Sequence, residues 1–200
     1  MLTDLELTGR TRSHVVQYAA PRFAAQPQAA EAFLSMRAAA QKDGIDMQPF
    51  STFRDFNTQL RIWNHKFAGK KQLYDKYGRV RDRSAMSEEE IIRHILDWSA
   101  LPGGSRHHWG TEIDVVDAAA MPPGYRPKLL PEETGEGGMF PEPWHLSYAP
   151  LSVPALQAMS VDLLADTLRN ADLSGKATVL ALLPELYRNH ILNIADAPTA

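Results

Sequence analysis

Apolar residues recur along this chain with two different periods, and the change from one to the other separates helices from short strands. Across 27–42 the residues Ala30, Phe33, Leu34 and Ala38 fall at helical spacing, with Gly44 as a stop. A strand is predicted over 45–52, delivering Arg54 at its end. Asp55 then opens a helix whose stripe Phe56, Leu60, Trp63 and Phe67 reads as core packing. Ser87 and Glu90 form a capping box for a further helix that buries Ile91, Ile92, Ile95 and Leu96, and Pro102, Gly103 and Gly104 end it. The period falls to two in 111–117, TEIDVVD, where Ile113 and Val115 share one face and Asp114 takes the other. It falls to two again in 144–149, WHLSYA, with Trp144, Leu146 and Tyr148 set against His145 and Ser147. A strand is predicted over 125–130 and a glycine-rich loop over 134–139, while the polar and basic stretch 69–84 reads as a solvated loop carrying a short hairpin. Helical spacing returns with Leu156, Met159, Leu163, Leu164 and Leu168, and a second stretch over 174–193 is broken or restarted at Pro184.

This succession predicts an α+β fold, a small antiparallel sheet packed with helices. Residues 1–150 form the main domain, and 151–200 form a helical extension packed on it. Two hundred residues suffice for one domain with a real core. The 21 basic and 24 acidic residues, a net charge of −3, give no electrostatic reason to expect nucleic acid or an anionic membrane as partner. No apolar run approaches the length that spans a bilayer, and MLTDLELTGR lacks the apolar segment of an ordinary signal peptide. With no cysteine, disulfides and thiolate ligands are excluded.

The chemistry gathers in 105–114, SRHHWGTEID, and 142–145, EPWH. Zinc accepts neutral imidazole and carboxylate oxygen, and a catalytic site keeps three protein ligands with one position open. His107, Asp114 and His145 can be those three. Gly110 supplies the turn between His107 and the first strand, and Asp114 and His145 each project from the polar face of their strand. If the two strands are neighbours, both ligands reach one ion. Glu142 precedes His145 by three residues, with Pro143 holding the chain extended, which places a carboxylate beside the metal as a general base requires. His108 is the competitor of His107. His14, His65, His94 and His190 have no partner at metal spacing and read as surface or core residues.

At these motifs the chain resembles a known family. SRHHWGTEID fits the SxHxxGxxxD pattern and EPWH the ExWH pattern of the D-alanyl-D-alanine metallopeptidases, the VanY-like and VanX-like group related in fold to the hedgehog amino-terminal domain. Upstream, 51–59, STFRDFNTQ, resembles that group's SGYRSxxxQ signature. The resemblance implies that His107, Asp114 and His145 bind one catalytic zinc ion and that Glu142 is the base. It favours His107 over His108, which is left behind the ligands or facing substrate. It places Arg54 at the developing oxyanion and Ser105 at the substrate beside the metal, with Gln59 matching the family glutamine in a supporting part of substrate binding. The chain departs from the pattern at Thr52, where glycine is usual, and at Glu112, where a small residue is common. Sharing a strand face with Asp114, Glu112 is expected to narrow the pocket or add charge near the ion. The 115–140 connection is short beside the insertion of many relatives, so a more open site is expected.

The activity implied is a zinc-dependent D-alanyl-D-alanine carboxypeptidase that hydrolyses the terminal peptide bond of peptidoglycan stem peptides. The same site in this family also serves free D,D-dipeptides and the L-alanyl-D-glutamate bond, and the sequence does not separate these. From a different class, the alternative is a noncatalytic metal-containing module that binds cell-wall peptide, against which Glu142 and Arg54 argue. Such a substrate favours the periplasm or cell envelope over the cytoplasm.

Overall fold

The computed structural model describes residues 1–75, 77–122, 124 and 144–193. The expected strand over 125–130, the loop over 134–139 and Glu142 lie outside the described residues. The described chain runs α1 (Asp4–Leu7), β1 (Val16–Ala19), β2 (Arg22–Ala25), α2 (Pro27–Lys42), β3 (Met47–Ser51), α3 (Phe56–Phe67), α4 (Glu88–Leu96), β4 (Glu112–Asp117), β5 (His145–Ser147), α5 (Ala149–Ala158), α6 (Val161–Arg169) and α7 (Lys176–Tyr187). This is an α+β fold in which helices pack around small antiparallel sheets.

Local chemistry sets several of the boundaries. Asp55 accepts from the Thr58 amide at 2.7 Å and so caps α3, and Ser87 with Glu90 closes a full capping box on α4. Each such cap satisfies an amide that the first turn leaves unpaired, worth about 1 kcal/mol. A second capping box, Thr3 with Glu6, starts α1. Ser160 caps α6 and divides the apolar run Leu156 to Leu168 into two helices. Pro184, expected to interrupt the last helix, instead lies inside α7. The wholly buried Val179, Leu183 and Leu186 hold that helix together against the loss of one backbone bond.

Two cores result. The larger joins Trp63 of α3 and Ile92 and Ile95 of α4 to Leu164 and Leu168 of α6 and Val179 and Leu183 of α7. The carboxy-terminal helices thus share their interior with the motif-bearing half, and the Trp63 indole donates to the Ser174 carbonyl at 3.0 Å across that seam. The smaller core sets Phe23, Phe33 and Ile113 together beneath the sheet, with Val115 packed at its margin. Ile113 and Val115 therefore face inward as the period-two pattern predicts, which turns Glu112 and Asp114 to the opposite face.

The three-stranded sheet has the order β3-β4-β5, antiparallel throughout. Pro49, which has no amide to offer a ladder, is tolerated because β3 is an edge strand. A register shift between Pro49 and Ser51 brings Ser51 opposite Asp114. On its other side Asp114 stands opposite His145. The β1–β2 hairpin pairs Val16–Ala19 with Arg22–Ala25 and has no counterpart in the hydrophobic pattern. It matters to the site because Ala24 receives the Phe53 amide and so anchors the segment leading to Arg54.

Candidate metal centre

His107 sits in a short 3₁₀ turn, Arg106–Trp109, and the segment leaving β3 clamps it on two sides. Its Nδ1 lies 2.9 Å from the Thr52 carbonyl, and its own carbonyl accepts the Arg54 amide at 3.2 Å. A carbonyl only accepts, so Nδ1 carries the proton and the neutral ring presents a bare Nε2. Burial, followed by the nearby Arg54 charge, pushes the His107 pKa down to about 3 and keeps the ring neutral. Gly110 then takes φ +67°, in the left-handed region open to glycine, and turns the chain from this site into β4.

His107 Nε2 lies 3.4 Å from Asp114 Oδ2, and His145 Nδ1 lies 2.8 Å from Asp114 Oδ1. The two imidazoles meet edge to face, with ring centroids 5.1 Å apart. One donor atom from each of His107, Asp114 and His145 fits within a mutual distance of 4.8 Å. Two nitrogens and one carboxylate converging in this way suit zinc, whose bonds to such ligands are about 2.0–2.2 Å long. The donor set and its geometry therefore fit a single divalent ion.

Burial lowers the pKa of His145, but its bonds to Asp114 and Glu112 outweigh burial and raise it to about 10. Burial raises the pKa of Asp114, yet the His145 bond and the neighbouring positive charges prevail, and the carboxylate is held below its ordinary range. The pair thus holds a proton where a cation can take its place.

His108, by contrast, is fully enclosed and its ring is occupied at both ends. Nδ1 bonds to the Arg54 carbonyl, and Nε2 accepts the Gly103 amide at 3.1 Å. It is a strut that fixes the Arg54 backbone, neither a ligand nor a group facing substrate. Arg54 itself is held by side chains: one guanidinium nitrogen donates to Gln59 Oε1 at 2.7 Å and another to Ser51 Oγ at 2.8 Å. Ser51 stands opposite Asp114 in the β3–β4 ladder, so its bond to Arg54 holds the guanidinium near the cluster, where the charge lowers the pKa values of both His107 and Asp114. A polar cleft of about 310 Å³ along the segment 52–55 is lined by Arg12, Arg22, Phe53 and Arg54 among others, and none of the three cluster residues lines it.

Gln59, expected at the substrate, is instead wholly buried, and its amide nitrogen donates to the Ala100 carbonyl at 2.6 Å. With both ends of its amide engaged, it acts on Arg54 and has no face left for a ligand. Ser105 is 1% exposed, and its Oγ has no hydrogen-bond partner among the described residues. Thr52 uses its extra atoms structurally, its hydroxyl accepting the Ala24 amide at 3.3 Å.

The sequence reading missed Arg106 and Ser147. Arg106 reaches Glu112 Oε1 at 3.0 Å, and Ser147 Oγ donates to the same oxygen at 2.9 Å. The signal was present: a second carboxylate on the ligand-bearing face of a strand needs a positive or protic partner nearby.

An α+β chain with a two-histidine, one-aspartate cluster gathered beside a small antiparallel sheet has the donor set of a mononuclear metal centre. Comparison with known proteins makes this specific. The family model for VanY, D-alanyl-D-alanine carboxypeptidase, matches residues 22–128, so the chain belongs to that family. An uncharacterized protein of Haemophilus influenzae is 38% identical over 104 residues, covering 50% of this chain and 70% of that protein. Among solved structures, VanYB in complex with D-alanine-D-alanine is similar at a TM-score of 0.47 and 19% identity, over 76% of this chain and 88% of that one. A mutant of the vancomycin-resistance D,D-pentapeptidase VanY in complex with Zn(II) also scores 0.47, at 17% identity over 82% and 88% of the two chains.

Proposed function

We propose that the protein is a zinc-dependent D-alanyl-D-alanine carboxypeptidase that removes the terminal residue of peptidoglycan stem peptides. The observation that carries this reading is the convergence of His107, Asp114 and His145 within 4.8 Å, with the guanidinium of Arg54 alongside, in a chain of the VanY family. These three residues hold the zinc ion. The ion, when bound, supplies Lewis acidity toward the scissile carbonyl and toward water.

The rest of the chemistry falls to the chain. Arg54, pinned by Gln59 and Ser51, donates to the carbonyl oxygen as it gains negative charge. Because that guanidinium is already fixed, little reorganisation is needed as the charge develops. Glu142 takes the proton from the attacking water and returns it to the leaving amine, a role that rests on its place three residues before His145. The cleft carrying Arg12, Arg22 and Arg54 offers positive charge to the carboxylate end of the peptide, and Ser105 is assigned to the substrate beside the metal. Residues 1–150 are assigned the catalytic work and 151–200 the support of its core. The substrate places that work in the periplasm or cell envelope.

The test is mass spectrometry of a muropeptide ending in D-alanyl-D-alanine, incubated with zinc-loaded protein, chelated protein and the Glu142→Ala variant. Loss of one alanine with the zinc-loaded wild type alone establishes the activity. Cleavage at the L-alanyl-D-glutamate bond would move the assignment within the family. A peptide that binds and stays whole would make the protein a wall-binding module.

A further inference from the structure

Glu112 stands where the family pattern usually has a small residue, and here it is completely buried. A carboxylate is not left in such a place without partners, and its own are divided between its two oxygens. Oε1 receives Arg106 Nε at 3.1 Å, Arg106 Nη2 at 3.0 Å, Ser147 Oγ at 2.9 Å and Thr111 Oγ1 at 3.3 Å. Oε2 lies 2.9 Å from His145 Nε2, an ion-pair contact, and has no hydrogen-bond partner among the described residues, so this buried oxygen has only the His145 ring to face. The opposite ring nitrogen, Nδ1, faces Asp114. The imidazole of His145 is therefore held between two carboxylates, one in the metal cluster and one behind it.

We propose that Glu112 is a positioning residue for the metal centre, fixing the His145 ring so that Nε2 carries the proton and Nδ1 is left to the ion. A histidine ligand depends on the group behind its other nitrogen for both tautomer and orientation. Register makes the arrangement possible. Glu112 lies opposite Ser147 in the β4–β5 ladder and Asp114 opposite His145, so one strand face supplies both carboxylates to the same ring. Arg106 balances the added charge from the turn that carries His107, which links the two histidine ligands through Arg106 and Glu112.

The inference rests on His145 being a metal ligand, and Glu112→Gln tests it. The isosteric amide has one oxygen. With that oxygen retained by Arg106 and Ser147, the NH2 group faces His145 Nε2 and drives the proton to Nδ1, the nitrogen meant for zinc. Zinc affinity, measured by competition with a chromophoric chelator, is expected to fall about 10–100-fold. The variant should still fold by circular dichroism, and in the zinc-loaded protein the imidazole ¹⁵N signals of His145 should lose the wild-type pattern of a protonated Nε2 and a coordinated Nδ1. Glu112→Ala, which removes the support altogether, is expected to weaken zinc binding without changing the tautomer in this way.

Wild-type zinc affinity in Glu112→Gln with unaltered His145 signals would overturn the proposal. So would loss of binding as complete as in His145→Ala, which would make Glu112 a ligand in its own right. A wild-type protein that binds no zinc at all would remove the metal reading beneath both.

Discussion

Asp114 and His145, 31 positions apart in sequence, stand directly opposite each other in adjacent antiparallel strands, with Oδ1 of one 2.8 Å from Nδ1 of the other. Sheet register alone brings them together, so their joint hold on an ion should fail if either is lost. Asp114→Ala, His107→Ala and His145→Ala are each expected to weaken zinc binding beyond the about 10–100-fold that outer partners cost. Equilibrium dialysis with metal analysis measures this. One zinc ion per chain is expected in the wild type.

Arg54 should behave as a group needed for turnover and not for metal. Arg54→Lys keeps the charge but loses the planar fork that Gln59 and Ser51 fix, and kcat is expected to fall about 10²–10³-fold at unchanged zinc content.

Gln59→Leu tests the support behind it. The change leaves a guanidinium nitrogen and the Ala100 carbonyl without their partner, with an expected stability cost of about 1–3 kcal/mol by urea unfolding. A lower kcat with an unaltered KM should accompany it.

His108 makes the metal-free protein sensitive to acid. Burial lowers its pKa to about 4, against an ordinary value of 6.5, although the Arg54 carbonyl partly opposes the shift. The unfolded chain therefore takes up this proton first as pH falls. The stability involved is fully present above about pH 6.5 and is lost progressively as pH falls toward 4. His108→Gln keeps one donor and one acceptor without a titrating group, so its unfolding free energy should vary less with pH over that window. Parallel curves for variant and wild type would refute the assignment.

Gly110→Ala is expected to destabilise the protein by more than about 1–2 kcal/mol. A β-carbon at this left-handed position would run into the Val15 side chain and crowd the Gln26 backbone nitrogen. Since the turn sets His107 relative to β4, zinc affinity should fall with stability, read by thermal melts with and without the ion.

Much of the fold was legible because it is written in local chemistry. The caps at Asp55 and Ser87 and the apolar stripe of α3 need only their own neighbours to declare themselves. The β1–β2 hairpin was not legible, since its strands are four residues long and alternate weakly, and it forms by pairing with itself and packing against Phe33. Pro184 misled for a related reason. A local breaking signal was overridden by the burial of one helix face in a core that the sequence does not display.

The sequence by itself determined which residue types could bind a metal, the two short motifs that carry them and the faces of the strands they occupy, because ligand chemistry and strand period are properties of the chain. The motif spacing favoured His107 over His108, but only the tertiary structure supplies the physical difference between them. Adjacent imidazoles are alike until the Thr52 carbonyl claims one nitrogen of the first and the Arg54 carbonyl and Gly103 amide claim both nitrogens of the second. It also decided that Gln59 serves Arg54 and that Glu112 stands behind His145. The histidine contacts, the Gln59–Ala100 bond and the approach of Glu112 to His145 join segments far apart in sequence, and their meeting is fixed by packing and register, which no local pattern contains.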